Sequence, residues 1–518
     1  MKIVSVEEMQ AIEKHADLNG LSYNQMMHNA GGGITSWLLN HVAIFHGAVG
    51  LIGSGNNGGD ALIALTGLAQ HGIRTLACLV KNRSKDDLLE AYLRWGGTVV
   101  DLTKNQRMAA LEAALNNGMT LLDGILGTGL KLPLRGDLAG LMGKISTIVK
   151  KCSRSPIVAI DCPSGVDCDS GIVADVTIRA DFTLCMAAIK KGLLKQPGRS
   201  FCGEFNLINI GLSKETKQLM DGKPKVVDLP YVSKHLPTRS DIGHKGTFGT
   251  CQVVAGSRSF TGACYLAGKA AYSSGCGLVD IGAIEEVYHI VSGQLIEAVW
   301  TILPAVGGAY ADQGLPILKS NIEKADALVL GPGMGFCHEN VTFVSKLLGK
   351  LPPELSTVID ADGLNLLAEI DCWWDKLPQN TILTPHPGEM STLTGISIKE
   401  IQENRWKIAV DYAQKWGVVL VLKGAMTVIA SPVERWHIIP VSDSSLATAG
   451  SGDVLAGLIG GLFAQGVSAK EAAICGAWLH AQAGLFAKKR FGTAYCVTAL
   501  DILEALPTAF LKIKQAGR

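Results

Sequence analysis

The sequence lacks nearly everything that marks a secreted, membrane-bound or nucleic-acid-binding chain. Its 47 Lys and Arg balance 46 Asp and Glu to a net charge of +1 over 518 residues. No strong field of either sign is therefore available to attract a polyanion or an anionic lipid surface. Aromatic residues are scarce, at 6%. No two cysteines have Cys-x-x-Cys spacing; Cys162 and Cys168 come nearest, and the total of 13 is odd. That usage excludes a disulfide framework and a zinc ribbon, and it predicts reduced thiols in a cytoplasmic protein. The opening "MKIVSVEEMQ" has no long apolar stretch, so no secretory signal is expected. The most hydrophobic late stretch, 446–466, is interrupted by Asp453 and by glycines, which argues against a bilayer span.

What is abundant is glycine, at 60 residues, within a chain that is 47% apolar. At this length two or more cores are expected. Short apolar runs alternate with amphipathic ones from residue 48 onward: "AVGLIG" (48–53), "TLACLV" (75–80), "TVVDL" (98–102), "MTLLDGILG" (119–127) and "PIVAIDCPSG" (156–165) read as strands. Helices are expected between them, at 60–72, 84–97 and 106–118, after an N-terminal helix opened by a Ser5/Glu8 capping box. The pattern closes at "EFNLINIGL" (204–212) and, past a polar joint near 213–235, restarts with strands around 248–257, 277–284, 325–335, 356–365, 380–389 and 417–430. From 450 to about 510 it is mostly helical. The prediction is α/β: two tandem domains, 1–215 and 235–510, the first a doubly wound parallel sheet.

In such sheets ligands lie beyond the carboxyl ends of strands, where loops enter helices. Three polar loops of the first domain occupy such positions. "GSGNNGGD" (53–60) has glycines that let amides approach a phosphate, with a helix start behind them. "DGILGTGLKLPLRG" (123–136) supplies Asp123, and "IDCPSGVD" (160–167) supplies Asp161 and Ser164. Asn57, Asp123 and Ser164 together offer oxygen ligands suited to a hard cation such as K+. Taken singly, each also fits an Asx turn, a helix cap or a turn-stabilising hydroxyl.

These loops resemble the NAD(P)H-hydrate epimerase domain, the YjeF N-terminal family, over roughly 1–215. The resemblance implies interconversion of two epimers at the hydrated nicotinamide carbon. It places Asn56, Asn57, Gly58, Gly59 and Asp60 at the dinucleotide, together with Gly127, Thr128, Gly129, Leu130, Lys131, Leu132 and Pro133. It makes Asn57, Asp123 and Ser164 the K+ ligands and Asp161 the acid/base, a task that needs a carboxyl tuned toward neutral pH. Lys190, in "CMAAIKKG", departs from the stretch usual in relatives, and its role stays open.

In the second half, "TAGSGDVLAG" puts Asp453 at a glycine-rich helix start, where amides can gather around developing phosphate charge while the acid accepts a hydroxyl proton. The alternative is a helix cap worth about 1 kcal/mol. "HKGTFG" (244–249), "GPGMG" (331–335) and "VLKGAMT" (421–427) add strand-end turns, and "TPHPGE" (384–389) holds His386 between two prolines. Together with "AGSRSFTGA", these resemble the ribokinase-like superfamily and, within it, ADP/ATP-dependent NAD(P)H-hydrate dehydratase, over about 235–510. The resemblance implies that Ala263, Gly333, His386 and Asp453 contact the hydrate. It likewise implies that Lys423, Gly424, Ala425, Met426, Thr427 and Gly452 contact the nucleotide, which brings Mg2+ with it. Phe260 replaces a residue that relatives usually have smaller or more flexible, at the pocket rim.

Both resemblances together imply a metabolite-repair enzyme. One half phosphorylates the hydroxyl of the S hydrate, with Asp453 taking the proton, and phosphate leaves to restore NADH or NADPH; the other half converts R to S. Expected partners are the small-molecule hydrates of NADH and NADPH with ADP or ATP, in a homo-oligomer, with neither nucleic acid nor membrane. Two alternatives stay open on the residues alone. One is a vitamin or sugar kinase, since the Asp453 turn does not separate phosphoryl transfer from dehydration. The other is a non-catalytic binding role for the N-terminal half.

Overall fold

The structure, a computed structural model, describes residues 1–42, 44–81, 83, 86–104, 108–152, 155–433 and 436–516. It divides into two compact units, Met1–Lys223 and Pro224–Arg518. Each is an α/β unit built on a largely parallel sheet, the fold class expected from the alternation. Among the described residues no helix is long and apolar enough to cross a membrane.

In the first unit seven strands lie side by side and all parallel. In spatial order they are Thr98–Asp101, Thr75–Leu79, Ala48–Ile52, Thr120–Gly124, Ile157–Ile160, Phe182–Met186 and Glu204–Ile208. The central strands are apolar along their whole length because helices cover both faces. The order reverses between Ala48–Ile52 and Thr120–Gly124, the position at which doubly wound sheets bind ligands.

The strand Phe182–Met186 and the long helix Tyr23–His41 were not legible as elements. A Gly31-Gly32-Gly33 run hides the helix by lowering its propensity. Packing overrides this, because a methyl group on Gly31 would lie 2.4 Å from Ile63 Cγ2 of the neighbouring helix. The helix expected at 60–72 spans Asn56–Gln70, so the glycine loop is itself the first helical turn. The starts of the helices expected at 84–97 and 106–118 lie outside the described residues. Their described parts are Asp87–Arg94 and Met108–Asn116.

The main sheet of the second unit has ten strands in the order Lys225–Val226, His437–Ile438, Val428–Ala430, Val419–Leu422, Thr381–Leu383, Ser356–Ile359, Ala327–Leu330, Thr250–Val254, Leu278–Ile284 and Val299–Leu303. Among the described residues of this sheet, Val428–Ala430 alone runs antiparallel to its neighbours. The segment 417–430, expected as one strand, is thus a hairpin whose turn is Lys423–Thr427. The polar joint near 213–235 is more ordered than expected: it holds the helices Lys214–Gln218 and Leu229–His235 and the edge strand Lys225–Val226.

The helix Ser451–Ala464 is buried almost throughout and packs on Thr261–Ser273. Its glycines allow that contact and another with the strand Ala327–Leu330. A methyl group on Gly457 would lie 2.0 Å from the Ala267 carbonyl oxygen, and one on Gly460 would lie 2.2 Å from Val329 Cγ2. Backbone atoms do not yield as side-chain ends do, so Gly457→Ala is expected to cost about 3 kcal/mol in urea unfolding followed by circular dichroism. The exposed Gly32 faces open space, and Gly32→Ala is expected to gain about 1 kcal/mol by the same measurement.

Candidate active sites

In the first unit the helix Asn56–Gln70 begins without a side-chain cap, on the extended residue Gly55. Its first amides are therefore open to an anion. Gly58 is required here, since a methyl group on it would lie 2.2 Å from the Gly53 carbonyl oxygen. Ser54, Gly55 and Asn56 are exposed, whereas Asn57, Gly58, Gly59 and Asp60 are buried. The loop Gly127–Pro133 runs partly exposed, with Gly129, Lys131 and Pro133 at the surface.

The three expected cation ligands converge on one loop. Asp123 Oδ1 accepts from Ser164 Oγ at 2.5 Å, and its Oδ2 accepts from the Ser164 amide at 2.8 Å. Ser164 Oγ in turn accepts from the Leu126 amide at 2.9 Å, and Asn57 Nδ2 donates to the Leu126 carbonyl at 2.9 Å. Asn57 Oδ1 is buried with no hydrogen-bond partner, and Asp123 is fully buried, with burial raising its carboxyl above the ordinary range. An orphaned amide oxygen beside a buried carboxylate is a donor set that fits a hard monovalent cation.

Asp161 sits at the end of Ile157–Ile160 with φ +61, in the left-handed region that a non-glycine residue rarely adopts. Its Oδ1 accepts from Lys190 Nζ at 2.5 Å and from the Met186 amide at 3.0 Å. Lys190, whose role the sequence leaves open, is enclosed beside Asp161. Its side chain is fully buried, with Nζ also donating to the Met186 and Ala188 carbonyls. Burial alone would lower its pKa, but the Asp161 charge raises it. Glu13 and Asp60, which line a small adjoining cavity of about 70 Å³, both titrate high through burial; repulsion from Asp161 adds to each. Glu13 had no signal beyond its place in the capped N-terminal helix.

In the second unit a cavity of about 610 Å³ is bounded by the Lys423 turn, the start of Ser451–Ala464 and the loops after Ser356–Ile359 and Thr381–Leu383. Asp453, Gly452, His386, Lys423, Gly424, Ala425 and Thr427 all line it. Met426 does not: it is buried, with φ +60. Ala263 and Gly333 also lie outside the lining. They pack on each other, a methyl group on Gly333 falling 2.6 Å from Ala263 Cβ and 2.8 Å from Phe260 Cβ. Asp453 lies in the first turn of its helix behind Gly450, whose φ is +85, and no side chain caps that turn. Burial first, then the Asp360 charge, push the Asp453 carboxyl up to about 7, against the pull of Lys423.

His386 is the N-cap of Pro387–Thr394. Its Nδ1 accepts the amides of Gly388 and Glu389 at 2.9 and 3.3 Å, while the Glu389 carboxylate accepts the His386 amide at 2.7 Å. Burial, and then Lys423, lower the His386 pKa. Glu389 is pushed up to about 7, chiefly by burial. Arg405 clamps the Lys423 turn, donating to the Leu422 and Lys423 carbonyls at 2.9 and 3.0 Å. Asp360, Glu389 and Arg405 were not singled out from the sequence. Two signals were there to read: Asp360 ends a strand in "VIDADG", and Glu389 has capping-box spacing from His386. Among the described residues no group of three or more His, Cys, Asp or Glu could hold a metal ion.

Comparison with known proteins gives the same two-part division. A family model described as YjeF-related protein N-terminus matches residues 23–192, and one described as NAD(P)H-hydrate dehydratase matches 251–508. The bifunctional NAD(P)H-hydrate repair enzyme of Moorella thermoacetica is 33% identical, over 99% of this chain and 98% of that protein. The chain belongs to the bifunctional NAD(P)H-hydrate repair enzyme family. The Escherichia coli member is 30% identical over 88% of this chain and 83% of its own length. Among solved structures, the ADP/ATP-dependent NAD(P)H-hydrate dehydratase of Bacillus subtilis, co-crystallised with ATP and Mg2+, is 29% identical. It covers 56% of this chain and 99% of its own, with a TM-score of 0.48.

Within this member of the repair-enzyme family, the buried charges of the first unit have measurable consequences. Removing the ammonium in Lys190→Met leaves Asp161 uncompensated and is expected to cost roughly 3–5 kcal/mol in denaturant unfolding. Asp60 has a folded-state pKa raised above its unfolded value, so its contribution favours folding at low pH and is lost as pH rises through the folded value. Asp60→Asn is therefore expected to flatten the decline of Tm with rising pH and to raise Tm at neutral pH.

Proposed function

We propose that the N-terminal unit interconverts the R and S epimers of hydrated NADH and NADPH, and that the C-terminal unit dehydrates the S form to NADH or NADPH at the expense of ADP or ATP, in the cytoplasm. The observation that carries this reading is the Asp453 carboxyl, held near neutrality at an uncapped helix start, in a cavity that the Lys423–Thr427 turn also lines. The vitamin- or sugar-kinase alternative is not favoured, because the relatives match across both halves of the chain.

In the dehydratase half, Asp453 takes the hydroxyl proton as the oxygen attacks the terminal phosphorus. The bond to the departing nucleotide breaks at that phosphorus, and the free amides of the first helical turn receive the charge of the moving phosphoryl group. The C–O bond then breaks with its electron pair leaving on phosphate, a far better leaving group than hydroxide. Loss of a proton from the adjacent carbon restores the ring double bond. The Gly424 and Ala425 backbone, clamped by Arg405, offers a rigid edge for the nucleotide. Mg2+ would arrive on the nucleotide, held chiefly by its phosphates.

In the epimerase half, the open start of Asn56–Gln70 suits the dinucleotide phosphates, and Asp161 is the acid/base. Asn57, Asp123 and Ser164 would hold K+, whose charge would balance those phosphates.

Mixed hydrate epimers incubated with ADP or ATP are expected to be consumed completely, read as the rise of reduced-nicotinamide absorbance. Asp161→Asn should consume only the S portion. Asp453→Asn should lose turnover by about 10³-fold while still binding nucleotide. Because the base must be ionised, wild-type dehydration should fall as pH drops below about 7. Full turnover in Asp453→Asn would refute this assignment of the base.

A further inference from the structure

The Lys423 side chain is spoken for before any nucleotide arrives. Its ammonium is 2.5 Å from Asp360 Oδ1 and 3.6 Å from Glu389 Oε2, and its side chain is largely buried. It also lies beneath the first turn of the Asp453 helix. A methyl group on Gly452 would fall 3.3 Å from Lys423 Nζ and 3.4 Å from Asp360 Oδ2. Glycine at 452 is what lets this pair approach the helix start. Asp360 is wholly buried, lines the cavity, and its Oδ2 has no hydrogen-bond partner. A buried carboxylate with one oxygen on an ammonium and the other unsatisfied is costly.

We propose that Lys423 serves not as a phosphate contact but as the buried counter-charge shared by Asp360, Glu389 and Asp453, which makes Asp360 a positioning residue for proton removal by Asp453. This inference rests on the reading of Asp453 as the base. The charged groups around Asp453 come from four elements. Asp360 follows the strand Ser356–Ile359, Asp362 opens the helix Asp362–Ala368, Glu389 lies in the first turn of Pro387–Thr394, and Lys423 follows Val419–Leu422. Two further neighbours are neutral near pH 7. Cys264, on Thr261–Ser273, is pushed up to about 12 by burial, and His480, on Ala469–Phe491, is lowered to about 4 by burial. The charge balance at Asp453 is thus set by three carboxylates against one ammonium. Asp360 and Lys423 act on it in opposite directions. The backbone of Gly424 to Thr427, free of the lysine head group, is left as the nucleotide's contact.

The test is the pH profile of kcat/KM for dehydration in the full-length chain. Asp360→Asn removes a negative charge from beside Asp453 and leaves the ammonium unshared. The acid limb should move down by on the order of one pH unit. The double variant Asp360→Asn with Lys423→Met should bring the limb back up, and Asp360→Glu, which keeps the charge, should leave it near the wild-type position. A structural role alone would lower kcat in these variants without moving the limb. An unmoved limb in Asp360→Asn, with turnover lost in Asp453→Asn, overturns this proposal and leaves the reading of Asp453 standing; turnover retained in Asp453→Asn overturns both. Should Asp360→Asn fail to fold, Gly452→Ala supplies the second variant. It presses on both partners and is expected to shift the limb, and an unmoved limb there counts against the proposal equally.

Discussion

Taking an ammonium out of water costs several kcal/mol, and among the described residues each unit encloses one beside carboxylates of its candidate site. Lys190 is enclosed with Asp161, and Lys423 with Asp360 and Glu389. Neither pair is a surface ornament. In both, the acids outnumber the base, so some carboxyls hold protons at higher pH than a free carboxylic acid would. The result is a set of buried acids that titrate above the ordinary carboxylic range, Glu389 and Asp453 up to about 7, which suits proton transfer to and from a substrate hydroxyl near neutral pH.

Around these charges the backbone does the rest. Both sites open on a helix whose first residues are small and uncapped, at Asn56 and at Ser451. Leaving amides unsatisfied is unfavourable in the free protein and useful only if an anion later takes them. The glycines in these helices answer two separate needs. Some, such as Gly58 and Gly452, admit close neighbours at the ligand end. Others, such as Gly457 and Gly460, let the helix lie directly on the strands and helix behind it.

Much of this was legible in the sequence because strand-end loops carry their chemistry in short, contiguous stretches. "GNNGGD" and "GSGDVLAG" each announce a turn, an acid and a helix start within ten residues, and "IDCPSG" announces a turn and an acid. Most of the strand pattern was equally plain, Phe182–Met186 excepted, since buried parallel strands are continuous apolar runs. What escaped was non-local. The helix Tyr23–His41 is stabilised by contact rather than by its own residues. The hairpin at 419–430 looks like one strand until its turn is seen. Lys190 has no assignable role in the sequence until the fold sets it against Asp161, 29 positions earlier. Asp360 is marked only by standing at a strand end, as many acids do, and its partner lies 63 residues away.

The ring of His386 faces two backbone N–H groups through one nitrogen, so that nitrogen must keep its lone pair. The other nitrogen then carries the hydrogen, which fixes the neutral tautomer; that nitrogen lies 3.2 Å from Glu389 Oε1. Acidification would set three donors against one another and loosen the start of the helix Pro387–Thr394. To anything entering the cavity, His386 therefore presents a hydrogen to give and no site at which to receive one.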